Sequence, residues 1–488
     1  MSSGVARRYR FAPAGKPGLF GQVPPAQIAV AATGAVAAWL LILAGVFPPI
    51  AAVPGLVGVG IALKRVDGHP IYQLIPLGVR WWWHCHRHGG RWCRPVPLLG
   101  ATDHAPIELP LAMAGLELLD VPDADGGPRA VVHDHRAGTV SVVVAVSGDG
   151  QFSLVDPLEQ DRRVALWGDA IAGFCRERGA VRRLVWHEWT AAGTHQAEPA
   201  PTADGRAASD YQALVRAVAP TLITHEIHLV VTVAIDAAAA RHHDRVAGAV
   251  EVLFEETRLF TSRLDTAGLT AGAVLSPVEL THTIRTRSDP QAGAVLETLS
   301  RSLAALTGRA AADYGPMAVA ADWRHVQVNG AVHRSFWVRG WPRLDVPAGW
   351  MDGLFTRTTG TRTVTVVFEP IPPTVAARAA ERDAVRLEAS EDSRTRRGFR
   401  TRAGDRRARH DVEAREHELT AGYGDVAYAG FVTITAPTVD LLADLAADTE
   451  QVAAQTGVLL DPLDGRHDAG WVASLPLGRS VADQRHIA

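Results

Sequence analysis

Lysine is almost missing from this chain: only Lys16 and Lys64 stand among 49 basic residues. A nucleotide-binding P-loop needs Gly-x-x-x-x-Gly-Lys-Ser/Thr. Lys16 precedes Pro17 and Lys64 precedes Arg65, so the chain carries no such loop. It also lacks a Gly-x-Ser-x-Gly elbow and a His-Glu-x-x-His pair. Three cysteines, Cys85, Cys93 and Cys175, do not make a disulfide framework and suit a reducing cytoplasm. A net charge of −3 gives no global field for nucleic acid or anionic lipid, so any such patch must be local. Charge itself is absent from one long stretch: Pro17 to Leu63 holds no Asp, Glu, Lys or Arg.

That stretch predicts an N-terminal transmembrane helical hairpin. About 20 apolar residues cross a bilayer core. The run divides at Phe47-Pro48-Pro49, giving spans over about 26–47 and 48–65 within a 24–66 segment. Gly34, Ala38, Gly55, Gly58 and Gly60 would let the helices approach closely. Basic residues flank both sides of the run, so the positive-inside rule puts both termini in the cytoplasm of a multi-pass membrane protein. Residues 1–23 then form a cytoplasmic arm, and 67–100 an interfacial segment. Arg65, Arg80, Trp81, Trp82 and Trp83 are its candidate membrane-interface contacts.

The remaining chain alternates strand and helix patterns, which predicts cytoplasmic α+β domains with mixed sheets at 101–290 and 310–480. Gly138–Val146 and Gln151–Val155 read as a hairpin. Asn329-Gly330 signals another. Leu229–Ile235 parallels Gly430–Thr435, which suggests a duplicated unit. A charged helical arm, 373–421, interrupts the second domain. It carries Arg394, Arg396, Arg397, Arg400, Arg406 and Arg407, candidate contacts for a partner or for phosphates, broken at Gly398 and Gly404. A solvated arm with balancing charges is the plainer reading, and contact with nucleic acid is left open.

No catalytic, cofactor or metal site is assigned. His84, Cys85, His86, His88 and Cys93 match no standard zinc spacing. His225-Glu226-Ile227-His228 lies in a strand pattern, with its histidines on opposite faces. For a membrane-tethered enzyme, the polar residues to examine first are His133, Asp134, His135 and Glu188.

Several phrases resemble known families. Arg8-Tyr9-Arg10-Phe11, the hairpin and Ile75-Pro76…Arg80-Trp81 resemble the small two-helix PrgI-like membrane subunit of conjugation and type IV secretion machines. Arg183-Leu184-Val185-Trp186, Ser276-Pro277-Val278-Glu279-Leu280, Trp337-Val338-Arg339-Gly340-Trp341-Pro342 and Leu475-Pro476-Leu477-Gly478-Arg479 resemble the N-terminal, non-motor region of conjugation ATPases. The combination is similar to integral membrane proteins of high-GC, actinobacterial-type bacteria. The resemblance implies a non-enzymatic scaffold in contact with membrane lipid, a separate motor ATPase, other secretion subunits and further copies of itself. A type VII secretion component (EccE-like) has similar anatomy and is the alternative.

Overall fold

The computed structural model describes residues 25–66, 69–94, 109–123, 126–192, 206–218, 222–238, 243–291, 315–342, 345–396, 403–481 and 483. The chain forms two compact units that divide between Arg91 and Trp92.

In the smaller unit, α1 (Pro25–Leu43) packs along α3 (Val53–Leu63), and α2 (Pro48–Ala51) makes the turn between them. A Cβ on Gly34 would come within 2.7 Å of the Pro54 carbonyl and 2.9 Å of Gly58 Cα, so the backbones touch at that crossing. Gly55 meets Ala38 there, whereas Gly60 faces open space. Gln27 donates to the Ala62 carbonyl at 2.8 Å and closes the far end. Gly34→Leu should force the pair apart at a cost of about 1–3 kcal/mol. Amide hydrogen exchange in α3 should then accelerate at least tenfold; unchanged protection would contradict the contact.

The transmembrane hairpin does not hold. Among the described residues, no helix is long and apolar enough to cross a membrane. At 1.5 Å per residue, α1 spans about 28 Å and α3 about 16 Å, against a core of about 30 Å. The second arm breaks at Ala52, where Val53 and Pro54 restart a helix of 11 residues. The multi-pass location with both termini cytoplasmic falls with the hairpin. Beyond α3, a two-residue ladder pairs β1 (Arg65–Val66) with β2 (His69–Pro70), and α4 runs Ile71–His88.

Among the described residues, the larger unit is built on one 13-stranded sheet. Its first half supplies β3 (Arg91–Cys93), β4 (Leu116–Pro122), β5 (Pro128–Asp134), β6 (Thr139–Gly148), α5 (Pro157–Ala172), β7 (Val181–Ala192), α6 (Arg206–Val218), β8 (Ile223–Ala234), α7 (Ile235–Ala238), α8 (Arg245–Leu264), β9 (Leu269–Val274) and α9 (Pro277–Ser288). The second half supplies β10 (Ala318–Ala321), β11 (Val326–Val328), β12 (Ala331–Gly340), α10 (Asp352–Thr356), β13 (Thr361–Ile371), α11 (Pro373–Arg396), α12 (Ala403–Thr420), β14 (Asp425–Ala436), α13 (Val439–Gln455), β15 (Leu459–Pro462) and α14 (His467–Ser474). Every pairing with a described register is antiparallel, so the expected mixed sheets are corrected to an antiparallel one.

From β10 to β4 the strand order is β10-β11-β12-β14-β13-β7-β8-β6-β5-β4, with β15 on β12 and β9 on β6. Replacing each strand by its counterpart in the other half returns the same order read backwards. Ser141 faces Thr232 across β6–β8, and Ser335 faces Thr433 across β12–β14, each hydroxyl pair 2.9 Å apart. The β6–β9 register shifts between Val144 and Val146, and the β12–β15 register between Val338 and Gly340. The same irregularity at equivalent positions marks an internal duplication. Its pseudo-dyad passes between Trp186 and Val366, which pair across β7–β13.

Valine-rich alternation lets this sheet bury both faces. Val140, Val142, Leu229 and Val231 pack under α5 and α8, while Phe336, Val432 and Ile434 pack under α13. Val143, Val185, Val230 and Phe431 lie on the opposite face under α9, Trp471 and the segment to Val481. The strand expected at Gln151–Val155 is a turn: Asp149 accepts the Gln151 N–H at 2.9 Å, and Gln160 donates to the Phe152 carbonyl at 2.9 Å. Those side-chain bonds satisfy backbone groups that a strand would have paired.

Candidate functional site

The four polar residues picked for enzymatic chemistry do not converge. Asp134 ends β5 on the α9-covered face. Its carboxylate accepts the Arg136 and Ala137 N–H groups, each at 3.0 Å, and is forked by Arg479 at 2.8 and 2.7 Å. The same guanidinium donates to the Ala112 and Ala114 carbonyls at 2.9 and 3.2 Å. Asp134 is therefore committed to holding the β5–β6 turn. Glu188 lies on β7, three strands away, with one oxygen 3.4 Å from His225.

His133 and His135 do meet, and they meet Glu117, which sequence reasoning missed. Glu117 is the register partner of His133 across β4–β5. His135 Nε2 lies 2.7 Å from Glu117 Oε2, His133 Nδ1 lies 3.9 Å from the same oxygen, and the imidazole centroids are 3.9 Å apart. Burial pushes the His133 pKa down, and the neighbouring His135 lowers it further. Among the described residues, this is the one His/Cys/Asp/Glu group whose ligand atoms gather closely enough to hold a metal ion.

A second polar cluster is buried except for one carboxylate, Glu226. Arg287, at the end of α9, donates to Glu226 at 2.7 Å and lies over the Trp189 ring at 4.2 Å. His228 sits 3.4 Å from its guanidinium, and His187 pairs with Thr365 at 3.0 Å. Burial is the main cause lowering both imidazoles to about 3, and it brings Arg287 down to about 10. Across the dyad, His333 bridges the Ser288 carbonyl and Thr435, each at 2.9 Å, and burial lowers it to about 4. His228 and His225 stand on opposite faces of β8, His228 buried and His225 exposed. The Arg287, His228, His187 and His333 side chains are buried, Glu226 reaches solvent, and the group fits a structural seam.

The arginine arm is the pair α11 and α12. Arg394 lies on α11, but its side chain is outside the described residues, as are Arg397 and Arg400. Arg396, Arg406 and Arg407 are exposed, and Arg407 stands 3.9 Å from Asp345. At the base, Arg415 pairs with Asp425, and Glu177 accepts from the N–H and hydroxyl of Thr374 at 2.7 and 2.8 Å. A cavity of about 850 Å³ opens beside this base, lined by Asp169, Cys175, Glu177, Leu419 and Tyr423 among others. A second, of about 310 Å³, lies beside Trp337, Tyr428 and Arg466. Neither is lined by His133, Asp134, His135 or Glu188.

In the smaller unit Arg80, Trp81, Trp82 and Trp83 all fall on α4, while Arg65 opens β1 with its side chain outside the described residues. Trp82 stacks on His86 with centroids 5.3 Å apart, and Arg87 lies over Trp83 at 4.6 Å. His84, Cys85 and His88 lie on α4 too, but the side chains of His84 and His88 are outside the described residues. Large apolar side chains project outward: Trp39, Leu40, Leu43, Phe47, Ile50, Leu56 and Leu63 are all at least half exposed. In comparisons with known proteins, the chain matches no family model and no curated sequence.

Proposed function

We propose that this chain is a non-enzymatic docking component of a conjugation or type IV-like secretion apparatus, seating a separate motor ATPase. The observation that carries the docking role is the apolar row on α1–α3 from Trp39 to Leu63. Large exposed apolar side chains concentrated on one pair of helices favour an interaction site over a solvated face. The arm of α11 and α12 adds a charged projection suited to partner choice, since charged rims set specificity and association rate. The phrases shared with conjugation ATPases supply the identity of the partner, and the absence of a P-loop lysine leaves the motor activity to another chain.

Affinity purification of the full chain from its own cells tests this. A P-loop ATPase should co-purify, and it should be lost from Leu40→Glu/Phe47→Glu, whose side chains are 54% and 67% exposed. Recovery of the chain alone, or of the same ATPase with both versions, would overturn the docking surface.

A further inference from the structure

The geometry points to a binding site for a divalent transition cation of the zinc class at Glu117, His133 and His135. Side chains two apart on a strand share a face, which places His135 beside His133 as the chain leaves β5. The antiparallel register sets Glu117 directly across from His133, and opposed side chains on adjacent strands stand about 5 Å apart at Cβ. One ligand atom from each residue falls within 4.8 Å of the other two. Zinc–nitrogen and zinc–oxygen bonds of about 2.1 Å place tetrahedral ligand atoms about 3.4 Å apart. The glutamate and His135 side chains are 53% and 54% exposed and can make that adjustment by rotation alone.

The donor set fits the ion. Two imidazoles and one carboxylate suit zinc and its first-row neighbours, not calcium or magnesium. Three protein ligands leave a fourth position for water or for a group brought by a partner. Behind the ligands, Asp134 fixes the turn that carries His135 through its two backbone bonds and the Arg479 fork. A supporting shell of this kind preorganises a metal site. Nothing in the docking proposal requires this site, and each can fail without the other.

The test uses the full chain, stripped with EDTA and titrated with Zn²⁺ by calorimetry and with Co²⁺ by visible absorption. His135→Ala and Glu117→Gln alter exposed side chains, so metal-free unfolding midpoints should match the parent and show that both variants fold. The parent should take up one more Zn²⁺ than the His135→Ala/Glu117→Gln double variant. Each single variant should bind that ion at least about tenfold more weakly, and the Co²⁺ ligand-field bands should fade in parallel. Equal stoichiometry and affinity in the parent and the double variant would overturn the site.

Discussion

Acidification from pH 7 to pH 5 should remove on the order of 6 kcal/mol from the stability of the larger unit. The cause is the buried imidazoles of His187, His228 and His333. In the folded chain they stay neutral until about pH 3, 3 and 4, against an ordinary value of 6.5. Below pH 6.5 the unfolded chain therefore binds protons that the folded chain refuses, and stability falls as pH falls. The loss grows by a little over 1 kcal/mol per pH unit for each group. It is complete only once the pH drops below the folded values. By pH 5 each histidine has contributed roughly 2 kcal/mol, which together rivals the whole stability of a typical domain. Urea midpoints followed by circular dichroism at pH 7, 6 and 5 check this. The midpoint should fall steeply, and His333→Gln, which keeps hydrogen-bonding capacity without titrating, should flatten the slope by about a third. A midpoint independent of pH over this range would mean the three imidazoles are hydrated in the folded state.

These histidines show where sequence reading stops. The strands were legible because Leu229–Ile235 and Gly430–Thr435 alternate β-branched residues that pack on a pleated surface. Their kinship was legible too: Thr232 and Thr433 hold equivalent places opposite Ser141 and Ser335. The grouping of Glu117, His133 and His135 was half legible. His133 and His135 stand out in the sequence as polar residues, with no metal assigned to them, but Glu117 joins them only through the β4–β5 register, a non-local fact. Lone arginines such as Arg287 and Arg479 carry no local signal, since their partners lie in distant segments. The apolar run misled for a different reason. Composition reports hydrophobicity but not where a helix breaks, and the chain breaks at Ala52.

Arg479→Ala should be the most damaging single substitution, costing about 3–5 kcal/mol. The Arg479 and Asp134 side chains are 2% and 7% exposed, so removing the guanidinium strands a buried carboxylate. It also leaves the Ala112 and Ala114 carbonyls without their donor. The pair closes the duplication. After α14 the chain crosses to the first half, where Arg479 clamps the β5–β6 turn. The segment after α9 crosses the other way, where Asp289 accepts the Gly330 N–H of the β11–β12 turn at 3.2 Å. Each half thus buttresses the other's hairpin, and neither keeps its own clamp when separated. A double-mutant cycle with Asp134→Ala isolates the interaction: once the carboxylate is gone, removing Arg479 should cost far less than it does alone. Urea unfolding of the four chains measures it. Additive losses would show that the two residues act independently. Arg479→Lys should recover only part of the loss, because an ammonium cannot fork a carboxylate and reach two carbonyls together. If the turn also presents His135 to a metal, the same substitution should weaken Zn²⁺ binding under conditions where the chain is still folded.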